Sequence, residues 1–448
     1  MNFAFLRRHL FEPLHGRLTG SPKLAYWKDL EKNQYFSTQH LLGIQQRRLR
    51  ELIAFVWENN SFYRERIAAV GLNPATMQNV TDLAGLPILT KSEIRDQMHN
   101  LLSRGLDQKT LQKAKTGGST GTALELYFSE ECSELRNACA RRSDCWTGWR
   151  PGEPIAACWG NPKLPKTYRE RLKFNLIQPY FYLDTMRVDE KAVRFFAEQW
   201  RNAKPTLLYG HAHSLYLLAE ALQDLAISLP APKGILSTSM MLIPSERAVI
   251  EEVFETKVTN RYGCEEVSLI GCECERHEGM HLNIEHLVIE FLRDDGTPAS
   301  PGEPGRIVVT DLINWVMPLI RYQVEDVGVP SLSVCSCGRG LPLMDQVIGR
   351  VADFLIKLDG SRVAGISLIE NTLTDIPGIR QMQIIQEAID EIKLNIVPAN
   401  NYTQETYDQL LSYFQDLFGD AVRYTIKKVT DIKAEPSGKY RFSICNVK

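Results

Sequence analysis

Lys115-Thr116-Gly117-Gly118-Ser119-Thr120-Gly121-Thr122, followed after Ala123 by Leu124-Glu125-Leu126-Tyr127-Phe128, is a glycine- and hydroxyl-rich loop that leads into an apolar strand. Glycines allow positive φ and close backbone approach, and the hydroxyls and exposed amides can donate to anionic oxygens, so such a loop can wrap a phosphate. It lacks the Gly-Lys-Ser/Thr ending of a Walker loop, and taken alone such a cluster is more often an ordinary turn. Its surroundings say more. From about Leu86 to Ile348 short Val/Ile/Leu-rich runs alternate with helical patterns, as in Thr206 to Tyr209 before Leu215 to Leu225, which predicts a layered α/β domain.

Upstream of residue 86 the chain reads as mostly helical, with Leu42, Leu49, Leu52, Ile53 and Val56 near helical spacing as a packing face. The turn-rich run from Asp294 to Gly305, ahead of Arg306 to Thr310, reads as a surface hairpin. After Gly349-Arg350 the pattern changes. A strand Phe354 to Leu358, a helix near Ser367 to Leu373, strands Gln381 to Gln386 and Glu391 to Val397, a helix carrying Leu410, Phe414 and Phe418, and a strand Val422 to Val429 make a small α+β unit. The expected organisation is therefore a large α/β N-terminal domain of layered sheets and helices over residues 1–348, and a small α+β C-terminal domain over residues 349–448.

The chain has 448 residues, of which 44% are hydrophobic and 24% charged, with a formal net charge of −2. That is an ordinary globular composition, with no overall field to attract nucleic acid or an anionic membrane. No apolar run is long enough to span a bilayer, and a cytoplasmic location is expected. Ten cysteines are too few for a disulfide scaffold, and their clustering at 264 to 274 and 335 to 337 points to metal chemistry. Cys274 and His277 have Cys-X-X-His spacing, and Cys335 with Cys337 form Cys-Ser-Cys-Gly. This Cys₃His set suits a closed, structural zinc, with Cys272 and His281 as rival ligands and buried unmetallated cysteines as the alternative. Cys132, Cys139, Cys145, Cys158 and Cys445 read as packing.

Further short motifs occur in a definite order: Leu86-Pro87-Ile88-Leu89-Thr90-Lys91, the glycine loop, Tyr262-Gly263-Cys264-Glu265-Glu266, Pro318-Leu319-Ile320-Arg321-Tyr322 running on to Asp326, Gly349-Arg350 with Asp353, and Ser437-Gly438-Lys439. In this order, over nearly the whole chain, they resemble the adenylate-forming ligase superfamily, nearest to phenylacetate-CoA ligases and CapK-type proteins. The resemblance implies that ATP and a carboxylic acid form an acyl adenylate with release of pyrophosphate, after which the acyl group passes to coenzyme A. Alternatives are an amide-forming ligase that uses an amine of a sugar or metabolite, and a non-catalytic nucleotide-binding protein that has kept the fold.

By the same resemblance, Thr116, Gly117, Gly118, Ser119, Thr120, Gly121 and Thr122 hold the phosphates, although Thr122 stands where many relatives have Lys. Tyr262 and Gly263 border adenine, Glu266 helps hold magnesium, Asp326 accepts from the ribose hydroxyls, and Arg350 joins it. Lys439 is the mobile catalytic ammonium on a small domain that acts as a rotating lid. Ala352 replaces a common hinge Asp, and Met240 and Met241 stand where relatives place a Glu. In relatives a His placed like His281 tends to line the active site. Trp146, Trp149, Trp159, Tyr209, His211 and His213 fall in the region of the acid pocket, with Trp146, Tyr209 and His211 as its candidate residues; such a pocket would suit an aryl or other planar acid, while core packing accounts for these residues equally well. The oligomeric state is left open, with a homodimer as one option.

Overall fold

The structure is a computed structural model that describes residues 3–77, 79–105, 110–115, 124–159, 167–177, 179–184, 189–239, 241–350, 354–360, 362–364, 368–369, 372–373, 375–432, 441 and 443–447. Helices dominate the start of the chain. The longest, Thr38–Asn59, begins at Ser37, whose side chain accepts from the His40 amide, and it buries Leu41, Gln45, Leu49, Leu52, Ile53 and Val56. The buried stripe starts at Leu41 rather than Leu42, which is 40% exposed, because four-residue steps back from Leu49 reach Gln45 and then Leu41. Gln45 donates to the Leu287 carbonyl at 2.7 Å and Arg48 to that of Glu285 at 2.8 Å, which pins the helix to the sheet described next.

A short antiparallel pair comes first, β1 (Gln112–Lys115) with β2 (Glu125–Phe128). The body is one eleven-stranded sheet in the order β10-β11-β12-β13-β9-β8-β7-β6-β5-β3-β4. Its parallel half holds β3 (Ile155–Trp159), β4 (Tyr180–Asp184), β5 (Leu207–His211), β6 (Gly234–Thr238) and β7 (Val258–Cys264). The antiparallel half continues through β8 (Ser268–Glu273), β9 (Met280–Leu282), β10 (Leu287–Leu292), β11 (Gly305–Asp311), β12 (Tyr322–Pro330) and β13 (Leu343–Arg350). Helices Glu190–Ala203, Ala212–Asp224 and Pro244–Phe254 connect the parallel strands, and successive residues Leu207 and Leu208 of β5 enter two different cores. The expected hairpin lies between β10 and β11, closed by an Arg293–Glu303 ion pair.

The C-terminal unit has its own core around Leu394, Leu410 and Phe414. A small pair, β14 (Phe354–Ile356) with β15 (Arg362–Ala364), precedes a four-stranded sheet. That sheet holds β16 (Ile379–Ala388), β17 (Glu391–Pro398), β18 (Arg423–Lys428) and β19 (Ser443–Cys445) in the order β18-β17-β16-β19, with the helix Gln404–Phe418 packed into the same core. The expected strands and final helix are present. β19 was not anticipated, since three residues parallel to β16 carry too little pattern to read. Among the described residues no helix is long and apolar enough to cross a membrane.

Candidate active site

β7 is where the sheet changes character: it runs parallel to β6 and antiparallel to β8. The hairpin between β7 and β8 depends on Gly263, because a Cβ there would lie 2.3 Å from the Ser268 carbonyl oxygen. Ser268 itself takes a left-handed φ of 64°. The hairpin turns Glu266 inward, where it is buried, and leaves Glu265 exposed. Tyr322 donates its hydroxyl to Glu266 Oε1 at 2.8 Å, and burial, with the adjacent Glu266 charge, raises the Tyr322 pKa well above the phenol range. It therefore remains a donor to this carboxylate.

β12 approaches the same spot through a bulge. Its register against β11 shifts between Arg306/Val327 and Val308/Gln323, and Glu325 has a φ of 71°. Bulges re-aim side chains next to active sites. Here Asp326 accepts from Tyr262 Oη at 2.8 Å, and Glu325 Oε2 lies 2.7 Å from Lys91 Nζ, which is also 3.8 Å from Glu266 Oε1. Lys91 is fixed from behind. Leu89 lies alongside Tyr322, with backbone bonds to Arg321 and Gln323, and Thr90 and Glu93 form a reciprocal cap on the helix that Lys91 begins. Arg321 is structural: its guanidinium binds Glu290 and the carbonyls of Ala84 and Leu86. From the helix Glu130–Trp146, Arg136 donates to the Glu266 carbonyl at 2.8 Å and to the wholly buried Asp311 at 2.7 Å, while its guanidinium lies over the Phe128 ring. Because Lys115 pairs with Glu125, β1 and β2 bring the two ends of the glycine loop together, and the other end of β2 carries Phe128 against Arg136.

At the carboxyl ends of the parallel strands, Trp159 stacks on Tyr209 at 5.4 Å and 8°, and lies 4.1 Å from the His211 ring. Such strand ends, beside a switch in topology, are where open α/β sheets bind ligands. Arg261, one residue before Tyr262, donates to Tyr209 Oη at 3.0 Å and to Asp144 at 2.7 Å. Tyr209 and His211 thus belong to one aromatic group. Trp146 does not join it by any contact the structure shows: its indole donates to Gln34 at 2.8 Å and its ring stands edge-on to His281. It faces the core side of its helix, next to the cluster below.

Cys274, His281, Cys335 and Cys337 bring their ligand atoms within 4.8 Å of one another. The Cys274 and Cys335 sulfurs are 3.6 Å apart, and Cys337 Sγ is 3.3 Å from His281 Nε2. His281 replaces the expected His277, whose ring instead turns to Glu273 at 3.2 Å from a left-handed backbone position. The Cys-X-X-His spacing misled because strand β9 returns His281 alongside β8, a tertiary proximity that local spacing does not report. His281 is well prepared to ligate. Its Nδ1 donates to the Leu341 carbonyl at 3.1 Å, leaving Nε2 bare, and burial lowers its pKa to about 4. Amides of Arg276 and Arg339 donate to the sulfurs of Cys274 and Cys337. Three sulfurs and one imidazole in this arrangement fit a tetrahedral zinc. Cys272 lies outside the cluster.

Residues 355–446 match the CapK C-terminal domain family. The phenylacetate-coenzyme A ligase of Thermus thermophilus is 24% identical over 394 residues, spanning 84% of this chain and 85% of that protein. Protein CapK of Staphylococcus aureus is 23% identical over 413 residues, spanning 91% and 90%. The chain is a homologue of the phenylacetate-CoA ligases and of CapK. Its fold is that of adenylate-forming ligases: a 2-hydroxyisobutyryl-CoA ligase in the postadenylation state superposes with a TM-score of 0.75 at 19% identity, covering 92% of this chain and 91% of that one. The same ligase in its thioesterification state, with 2-HIB-AMP and CoA, gives 0.62 over 93% and 92%.

Within this homologue of CoA ligases, Tyr262, Gly263, Glu266 and Asp326 converge. The backbone of Arg350 is the cross-strand partner of Asp326. Thr116 to Thr122, Met240, Ala352, Asp353, Lys439 and the side chain of Arg350 lie outside the described residues. Sequence reasoning quoted Lys91 only as part of a motif, and it assigned nothing to Arg136, Arg261 or Asp144. Lys91 had a signal, the Thr-X-X-Glu cap around it, while the two arginines had none beyond proximity that only the fold creates. Replacing Arg136 with Met should leave Asp311 as a buried carboxylate without its cation, and chemical denaturation should show a loss of about 3 kcal/mol.

Proposed function

We propose that this protein is an ATP-dependent ligase that activates a carboxylic acid as its acyl adenylate, releases pyrophosphate, and passes the acyl group to coenzyme A. What carries the reading is the convergence of Tyr262 and Glu266, Asp326, and Lys91 from three separate segments, in a chain homologous to CoA ligases over most of its length. Attack of a carboxylate on the α-phosphorus of ATP requires in-line positioning and neutralisation of charge spreading over phosphate oxygens. Lys91 supplies one fixed ammonium, which offsets the missing loop lysine at position 122. Two carboxylates, Glu266 and Glu325, surround that single ammonium, and the surplus negative charge favours a divalent cation. Glu266 would hold magnesium, whose chemistry is to neutralise the phosphates. Asp326 would exchange its bond from Tyr262 for the ribose hydroxyls, with Arg350 beside it.

The glycine loop 116–122 would cradle the phosphates, and Lys439 would approach the α-phosphate from a lid comprising the residues after 348. Trp159, Tyr209 and His211 would flank the acid. Zinc at Cys274, His281, Cys335 and Cys337 would tie the loop before β13 to the end of β8 and take no part in the chemistry. An amine acceptor is the second reading, supported by the shared fold with the amide bond synthetase McbA of Marinactinospora thermotolerans, at a TM-score of 0.53 and 17% identity.

Pyrophosphate should exchange into ATP only when a suitable acid is present, which a panel of aryl, fatty and amino acids will identify. Lys439→Ala should suppress that exchange while ATP binding persists, and retained exchange would remove the lysine from the mechanism. AMP release with coenzyme A or amines then names the acceptor. For Lys91→Met an exchange rate about 100-fold lower is expected at unchanged thermal stability, the scale of losing one preorganised charge. Protein purified without added metal should carry about one equivalent of zinc, and a Cys335→Ser/Cys337→Ser variant should lose it and melt at lower temperature. A stable, metal-free wild type would reject the zinc.

A further inference from the structure

A polar chain joins the body to the C-terminal unit away from the nucleotide residues. His213, the second residue of the helix Ala212–Asp224, has Nδ1 2.7 Å from Glu246 Oε1 and Nε2 3.0 Å from the amide nitrogen of Gln381 on β16. An amide nitrogen can only donate, so Nε2 accepts and the proton on Nδ1 is donated to Glu246. All three residues are buried, and Glu246 Oε2 is buried with no hydrogen-bond partner among the described residues. The register of β16 against β17 shifts between Ile379 and Gln381, a bulge that turns Gln381. Next to it, Arg380 acts electrostatically on Tyr216 and Glu220, which are themselves joined at 2.6 Å. This is a built contact between two units with separate cores.

The structure shows this contact in one arrangement of those units. The 2-hydroxyisobutyryl-CoA ligase covers nearly the same share of this chain in both of its states, yet the postadenylation state fits with 0.75 and the thioesterification state with 0.62. Within one enzyme that difference lies in its conformation, and the present chain follows the former. Resting on the adenylate-forming reading above, in which the lid turns between half-reactions, we propose that Glu246, His213 and Gln381 form a latch made in the arrangement of the postadenylation state, before the acyl group moves on, and broken in the thioesterification state. His213 and Gln381 are then positioning residues: they hold the lid for the first half-reaction, and their separation admits the second.

Two substitutions at Gln381 test this, each read in both half-reactions. Gln381→Ala removes the donor and should slow pyrophosphate exchange about five-fold, the worth of one hydrogen bond, while single-turnover acyl transfer from the isolated enzyme–adenylate stays as fast or rises. Gln381→Glu places a carboxylate against an imidazole that can take a second proton, and it should do the reverse, sparing exchange and slowing transfer. Opposite signs in the two variants are the signature of a latch. Equal losses in both half-reactions, or no change in either, would overturn it. If the wild type exchanges with no acid, the adenylate reading fails separately, and small-angle scattering decides: Gln381→Ala should broaden the distribution of distances between the units, and an unchanged profile removes the latch.

Discussion

The candidate site depends on one constraint, the reversal of strand direction at β7. A parallel neighbour can be reached only through a crossover, whereas β7 folds straight back into the antiparallel β8. That tight return is possible because Gly263 leaves room for the Ser268 carbonyl. From it follow the inward turn of Glu266, the placement of Tyr262 against the β12 bulge, and the position of Arg261 facing the aromatic group. One side of β7 belongs to a layered α/β half that carries the Trp159, Tyr209 and His211 rings, and the other to an antiparallel half that supplies charge.

The charges are arranged asymmetrically. Arg136 is committed to Asp311 and to a backbone carbonyl, so it braces the hairpin and is spent on structure. Lys91 stands between Glu325 and Glu266, near enough to be redirected toward an arriving anion. Because these groups are largely withdrawn from water, their interactions are less screened than those of exposed pairs. A preorganised field of this kind does not need to be assembled at the moment of reaction.

How much of this was legible varies with the range of the contacts involved. The two-unit organisation, the alternation of strands and helices, and the grouping of Tyr262, Glu266 and Asp326 in one place were legible because local pattern and motif order carry them. His281 was legible only as a rival to His277, since β9 returning beside β8 decides between them. Trp146 was placed with the acid pocket from its chain position, but its helix turns the indole toward Gln34 and His281. Lys91 and Arg136 act on Glu266 from distant segments, and no spacing rule connects residues that meet only across a sheet. The same holds for Gln381 and His213.

The position of β13 has a consequence for how the chain reaches this state. β13 lies between β9 and β12, and β10 and β11 are laid down earlier on the outer edge. During synthesis the antiparallel half therefore stays split, with β9 and β12 offering open edges, until residues 343–350 have emerged and inserted between them. Such late, long-range pairing is slow and leaves strand edges exposed in the meantime. The last strand to enter the large sheet is also the one that leads into the C-terminal unit, so the body closes just as that unit begins to be made.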